Sequence, residues 1–240
     1  LTQPLGAFAR LRLAYSLEEI SIFNVARDAS ARIREEAGDR LKSAASLTLS
    51  HDTRDRVFSP TRGRRVETTV SYAGGPLGGD TDIYSFEGSV SQFIPIWRTH
   101  VLSLRARVGV VDTHGSADRV PIFDRYFLGG ATTIRGFKFR DVGPRDELGD
   151  PIGGRSMAFA SAEYTVPLGG PFRGAVFYDI GLVDEKAYAF AAEPNSSWGI
   201  GLRVDVPMLP LRFDYSWPLQ TDAFNDRASG RFSFLIGYGF

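Results

Sequence analysis

The chain has 240 residues, with 28 Lys plus Arg against 28 Asp plus Glu, so its formal net charge is zero and it lacks the basic excess that a nucleic-acid partner draws on. It has no cysteine, which excludes disulfides, thiolate metal ligands and a cysteine nucleophile, and its three histidines, His51, His100 and His114, are too scattered to suggest a zinc cluster. No apolar run approaches the ~18 residues of a membrane-spanning helix, but a β-barrel strand crosses with about 9–11 residues, of which only alternate ones are apolar.

Alternation of period two, which puts successive side chains on opposite faces of a strand, dominates the chain. An irregular first strand falls within residues 7–25. Leu47 and Leu49 alternate with Thr48, Ser50 and Asp52. Val66, Thr68, Val70 and Tyr72 follow on one face of the next strand. Tyr84, Phe86, Val90, Ile94 and Ile96 mark a fourth strand. Leu102 to Val110 alternates with Ser103, Arg105, Arg107 and Gly109. After a long segment, Ala158 to Val166 alternates with Ser161 and Glu163, and Val176, Tyr178 and Ile180 with Phe177, Asp179 and Gly181. Trp198 to Met208, then Leu211 to Trp217, carry Arg203, Asp205, Arg212 and Asp214 on their polar faces. Phe232, Phe234, Ile236, Tyr238 and Phe240 share one face of the last strand.

A soluble sandwich or lipocalin-like barrel would also alternate. Here, however, the polar face carries charges in mid-strand, while the apolar face is continuous and aromatic near its ends. An aqueous interior with a lipid-facing exterior gives that inversion. Connections also alternate in length. The short ones lie at 55–63, 95–99, 167–171 and 208–210. The longer ones lie at 27–42, 74–82, 112–155, 184–197 and 218–229. Outer-membrane barrels have short periplasmic turns and long external loops. The expected fold is therefore all-β: a transmembrane antiparallel up-and-down β-barrel with about ten strands present. A terminal aromatic, Phe240, on an alternating strand fits the targeting pattern of such proteins. The start at Leu1, with no basic and apolar leader, is expected of a mature protein or a fragment.

Residues 112–155 form a 44-residue loop, far beyond the ~15 residues of an ordinary connection. It carries Phe123, Tyr126, Phe127, Leu128, Ile134, Phe137 and Phe139, which need a surface to pack on, and the lumen wall is the one available. Its polar centre is Arg135, next to Gly136. A buried arginine needs carboxylates in fork geometry. Glu163 and Asp179, on the polar faces of the two following strands, are candidates, or they simply line a wet channel. No H-E-x-x-H, G-x-S-x-G, P-loop or dinucleotide fingerprint is present, so no catalytic residues, cofactor or metal are expected. Asp52 and Asp55, beside Arg54 and Arg56, read as braces of a turn.

Ile134-Arg135-Gly136-Phe137 resembles the V-R-G-F/Y motif of the lumen-entering loop in the BamA family of the outer-membrane-protein-85 superfamily. Asp52-Thr53-Arg54-Asp55 with Pro60-Thr61-Arg62-Gly63 resembles that family's D-T-R-D…P-T-[RK]-G turn. Phe127-Leu128-Gly129-Gly130, Ala162-Glu163-Tyr164 and the strand 176–181 resemble three further motifs, in the family's order. The resemblance implies that Glu163 and Asp179 clasp Arg135, and that residues 1–240 are the C-terminal part of a sixteen-strand outer-membrane barrel. POTRA domains would precede it and are not in this chain, although ten strands could close alone. It also implies a factor that folds and inserts nascent outer-membrane proteins through a lateral seam at the last strand, marked by Gly237 and Phe240. Membrane lipid, periplasmic chaperones and accessory lipoproteins would be its partners, and nucleic acid would not. A two-partner secretion pore shares the loop motif and is the alternative; a passive porin-like barrel is the third reading.

Overall fold

The structure is a computed structural model that describes the chain except residues 27–28, 207–208, 224, 226–228 and 238–240, with residues 31–32 described in backbone only. Its strands are β1 (Thr2–Pro4), β2 (Ala9–Ile22), β3 (Gly38–Asp52), β4 (Gly63–Ala73), β5 (Ile83–Pro95), β6 (Val101–Thr113), β7 (Ser156–Gly169), β8 (Phe172–Asp184), β9 (Asn195–Val204), β10 (Leu211–Gln220) and β11 (Arg231–Ile236). They form one antiparallel sheet in which each strand pairs with its sequence neighbours, in the order β1 to β11. Such a meander follows from short turns between strands of matched alternation.

The ten expected strands all form, and three features differ. The short β1 adds an eleventh strand; three residues ending in a proline carry no readable alternation. Strand β3 starts at Gly38, so residues 38–42, expected in a loop, pair with β2 instead. Strand β9 ends at Val204, short of the expected Met208, which lies outside the described residues, as do Tyr238, Gly239 and Phe240 of the last expected strand. Among the described residues the sheet is open, with β1 and β11 at its edges.

Polarity is inverted relative to a soluble domain. Tyr15, Leu17, Leu47, Val70, Phe86, Val176, Ile200 and Phe232 are exposed on the convex face, while Asp179, Ser197, Asp214 and Ser216 are buried on the concave one. The outer face presents aliphatic and aromatic groups, with Trp198 stacked on Trp217 at a centroid separation of 4.9 Å. In water such a surface would be unfavourable; against acyl chains it is matched. The apolar core lies between the concave wall and the loop 114–155. Leu128, Ile134, Phe137 and Val142 of the loop cluster with Val111, Met157, Phe159 and Val183 of the wall. The loop keeps its own shape through bridges from Tyr126 to Gly154, Leu128 to Val142 and Arg145 to Pro151.

Candidate functional site: an arginine clasp on the lumen wall

Strand register prepares the site before the loop arrives. Ser161 of β7 sits opposite Asp179 of β8, which sits opposite Ser197 of β9. The small serines flank the carboxylate and leave space above it. Three inward glycines widen that space. A Cβ on Gly181 would lie 2.8 Å from both Ala158 O and Leu128 Cδ1, and 3.1 Å from Ile134 Cδ1. A Cβ on Gly199 would lie 2.4 Å from Phe177 Cζ, and one on Gly201 2.2 Å from Asp214 Oδ1. These glycines make a hollow into which the loop and its ionic partners fit.

Arg135 enters that hollow and is 1 % exposed. Its Nε donates to Asp179 Oδ2 at 2.7 Å, and its Nη2 to Asp179 Oδ1 at 2.8 Å. Its backbone N–H also reaches Asp179 Oδ2, at 3.2 Å. Nη1 donates to Glu163 Oε2 at 2.7 Å. The guanidinium lies over the Phe177 ring, with Cζ 3.4 Å from the centroid. The pair thus combines bidentate geometry, stacking and full burial, which suits arginine and not lysine.

The structure therefore brings Arg135, Glu163 and Asp179 together, with Gly136 and Phe137 beside them. Gly136 has φ +95°, a conformation open to glycine, and packs near Ser197 and Ser216; Phe137 is buried. The sequence motifs did not single out the second ring of charges. Arg203 binds Glu163 with Nε at 3.0 Å and Nη2 at 2.7 Å, and its Nη1 lies 2.7 Å from Asp214 Oδ1. Arg212 stands opposite Arg203 in the ladder, with Nη2 at 3.6 Å from both Glu163 and Asp214. The available signal was their mid-strand position on the polar face. Their convergence depends on register and sheet curvature.

The turn residues form a separate site at the end with short connections. Arg54 forks onto Asp52 with Nε at 2.9 Å and Nη2 at 2.7 Å. Asp55 accepts the Thr61 hydroxyl at 2.6 Å and the N–H groups of Thr61 and Arg62 at 2.9 and 3.3 Å. Partial burial pushes the Asp55 carboxyl up, but these hydrogen bonds and Arg56 outweigh it and hold it at about 2. Gly63, at φ +93°, closes the turn where a Cβ would lie 2.2 Å from Thr53 O. Pro60 is buried, and the neighbouring Ser59 hydroxyl donates to Asp205, 146 positions away. This turn does not touch Arg135; it reaches across to the β9–β10 connection beneath the clasp.

At the open edge, β11 pairs with β10 from Arg231 to Ile236. Gly237 then takes φ +91° and donates its N–H to Pro210 O at 2.8 Å, while nothing lies within 4 Å of where its Cβ would be. Phe240 lies outside the described residues.

A family model described as the Omp85 superfamily domain matches residues 1–240. The chain belongs to the Omp85 superfamily. Among curated relatives of this superfamily chain, one from Nitratidesulfovibrio vulgaris, "Outer membrane protein assembly factor BamA", is 35% identical over 99% of this chain and 30% of its own length. The "SAM50-like protein SPAC17C9.06" of Schizosaccharomyces pombe is 31% identical over 88% of this chain and 47% of its own length. The chain thus spans less than half of these relatives. A crystal structure of BamA from Haemophilus ducreyi lacking POTRA domains 1–3 superposes with a TM-score of 0.79 at 20% identity, over 98% of this chain and 52% of that one. Fold and family together make this Omp85 chain an outer-membrane β-barrel protein.

Proposed function

We propose that this barrel is the membrane-embedded part of an assembly factor that folds and inserts other β-barrel proteins into the outer membrane. The observation that carries this reading is the buried clasp. A passive porin needs a wet, open lumen, and here the loop of residues 114–155 is packed on the lumen wall around Arg135 and held there by ion pairs. A pore that exports unfolded polypeptide shares the loop motif, so the domains that accompany the barrel in the full-length protein, and not the loop, separate that alternative. In this reading a client meets the barrel at the last strand, β11, whose end carries Gly237. A client strand would add to the edge by backbone hydrogen bonds, which relieves the cost of unpaired groups in lipid. No nucleotide enters; the folding of the client supplies the driving force. Nascent outer-membrane proteins would be the clients, with membrane lipid, chaperones and accessory lipoproteins as partners.

Gly237→Val in the full-length protein tests this. Its Cβ meets open space, so the effect is conformational: a β-branched residue disfavours φ +91° and pulls the strand end toward extended backbone. Reconstituted in liposomes, the variant should insert a client barrel several-fold more slowly with its own thermal stability little changed. Wild-type insertion rates would reject the seam as the working edge.

A further inference from the structure

Between the clasp and the turn beneath it lies a cavity of about 80 Å³ whose lining is rich in arginine. Arg105, Arg173, Arg203 and Arg212 all line it, against two carboxylates, Glu163 and Asp205. Both carboxylates are already engaged. Glu163 receives Arg135 and both prongs of Arg203, and Asp205 receives the Ser59 hydroxyl. Arg212 is left short of acceptors. It is only 8 % exposed, its Nη2 is 3.6 Å from Glu163 Oε2 and Asp214 Oδ2, and its Nε and Nη2 are buried without a hydrogen-bond acceptor. Standing opposite Arg203 in the ladder adds like-charge repulsion. Buried N–H groups on a cation are costly to leave unmet, and a small oxyanion is the group that meets several at once.

We propose that this cavity binds one phosphate-type oxyanion, held by Arg212 with Arg105, Arg173 and Arg203 around it. Gly237 also lines the cavity, and among the described residues nothing lies within 4 Å of where its Cβ would be, so the site extends to the end of β11. Two sources share this chemistry: dissolved phosphate, and the headgroup phosphate of a lipid entering beside Gly237. The site differs from the clasp, since Arg135 is saturated by Asp179 and Glu163 and does not line the cavity.

The test is thermal unfolding of the full-length protein in delipidated detergent. Millimolar inorganic phosphate should raise the midpoint by a few degrees over chloride at matched ionic strength, because a ligand specific to the folded state shifts unfolding by mass action. Arg212→Gln should abolish that gain and Arg173→Gln, at the rim, should reduce it. Dihexanoyl phosphatidic acid in the same detergent separates the sources: action at lower concentration than phosphate assigns the headgroup, and action of phosphate alone assigns the dissolved ion. Should neither probe shift the midpoint, or should both variants retain the full gain, the cavity holds water only and the proposal is overturned.

Discussion

Arg135 and Asp179 meet through three hydrogen bonds, two from the guanidinium fork at 2.7 and 2.8 Å and one from the backbone N–H at 3.2 Å. The carboxylate on β8 therefore fixes both the side chain and the main chain of the loop at one point. Around this pair the loop's apolar groups settle into place, so the ion pair sets where the loop docks as well as neutralising a buried charge.

Replacing Arg135 by Ala should loosen the loop while leaving the barrel folded. Removing one partner of a buried pair typically costs ~3–5 kcal/mol, because Asp179 and Glu163 would face each other without the guanidinium. Hydrogen exchange across residues 123–139 should rise, with the heat-modifiable mobility of the barrel retained. Arg135→Lys should lie between, since it keeps the charge and loses the fork. Unchanged protection of the loop in Arg135→Ala would show that apolar packing alone holds it.

Gly181 tests the hollow without touching a charge. Its backbone is not in the left-handed region, so a substitution acts through space alone. Gly181→Val would drive carbon into Ala158 O, Leu128 and Ile134, and overpacking of this kind costs about 1–3 kcal/mol. Proteolysis within the loop should become faster. Gly88→Ala, where the added Cβ meets Val108 Cγ1 at 3.4 Å, is a control away from the loop, with Gly181→Ala as its size-matched counterpart, and should leave the loop as resistant as wild type.

Sidedness is checked by labelling. The chain has no cysteine, so within this segment single cysteines can be placed freely. Glu193→Cys, in the β8–β9 loop, should react with an impermeant reagent on intact cells. Thr99→Cys, in the short β5–β6 turn, should react only after the membrane is opened. The reverse pattern would turn the barrel over.

The Asp55 carboxyl gives the turn a defined pH dependence. Its folded value is about 2 against an ordinary 3.8, so the ionised form is the one the turn favours. That contribution is fully present above about pH 4 and is lost as the pH falls through about 2. Carbon-13 titration of Asp55 should show a midpoint near 2, and Asp55→Asn should loosen residues 55–63 at neutral pH. A midpoint in the ordinary carboxylate range would mean that the Thr61 and Arg62 hydrogen bonds are absent in solution.

Period-two alternation determined the strands from β2 to β11, apart from residues 38–42 of β3, and which connections are long, and the charges in mid-strand on the polar face determined which face meets lipid. Each of these depends only on residues close together in the chain, because the side-chain period of a strand is two. The loop motif with Arg135, and the polar parity of Glu163 and Asp179, were legible in the same way. Tertiary structure alone decided which charges share one cluster. Parity puts Arg203, Arg212 and Asp214 on the inner face, but their height along the barrel depends on register, and their distance from Glu163 on how far the sheet curves between β7 and β10. The contact from Ser59 to Asp205 spans 146 positions and crosses beneath the loop, a path that no local pattern encodes. Along the chain the glycines at 181, 199 and 201 are simply polar-parity positions of their strands. In three dimensions they are the space that the loop, the Phe177 ring and the Asp214 carboxylate occupy.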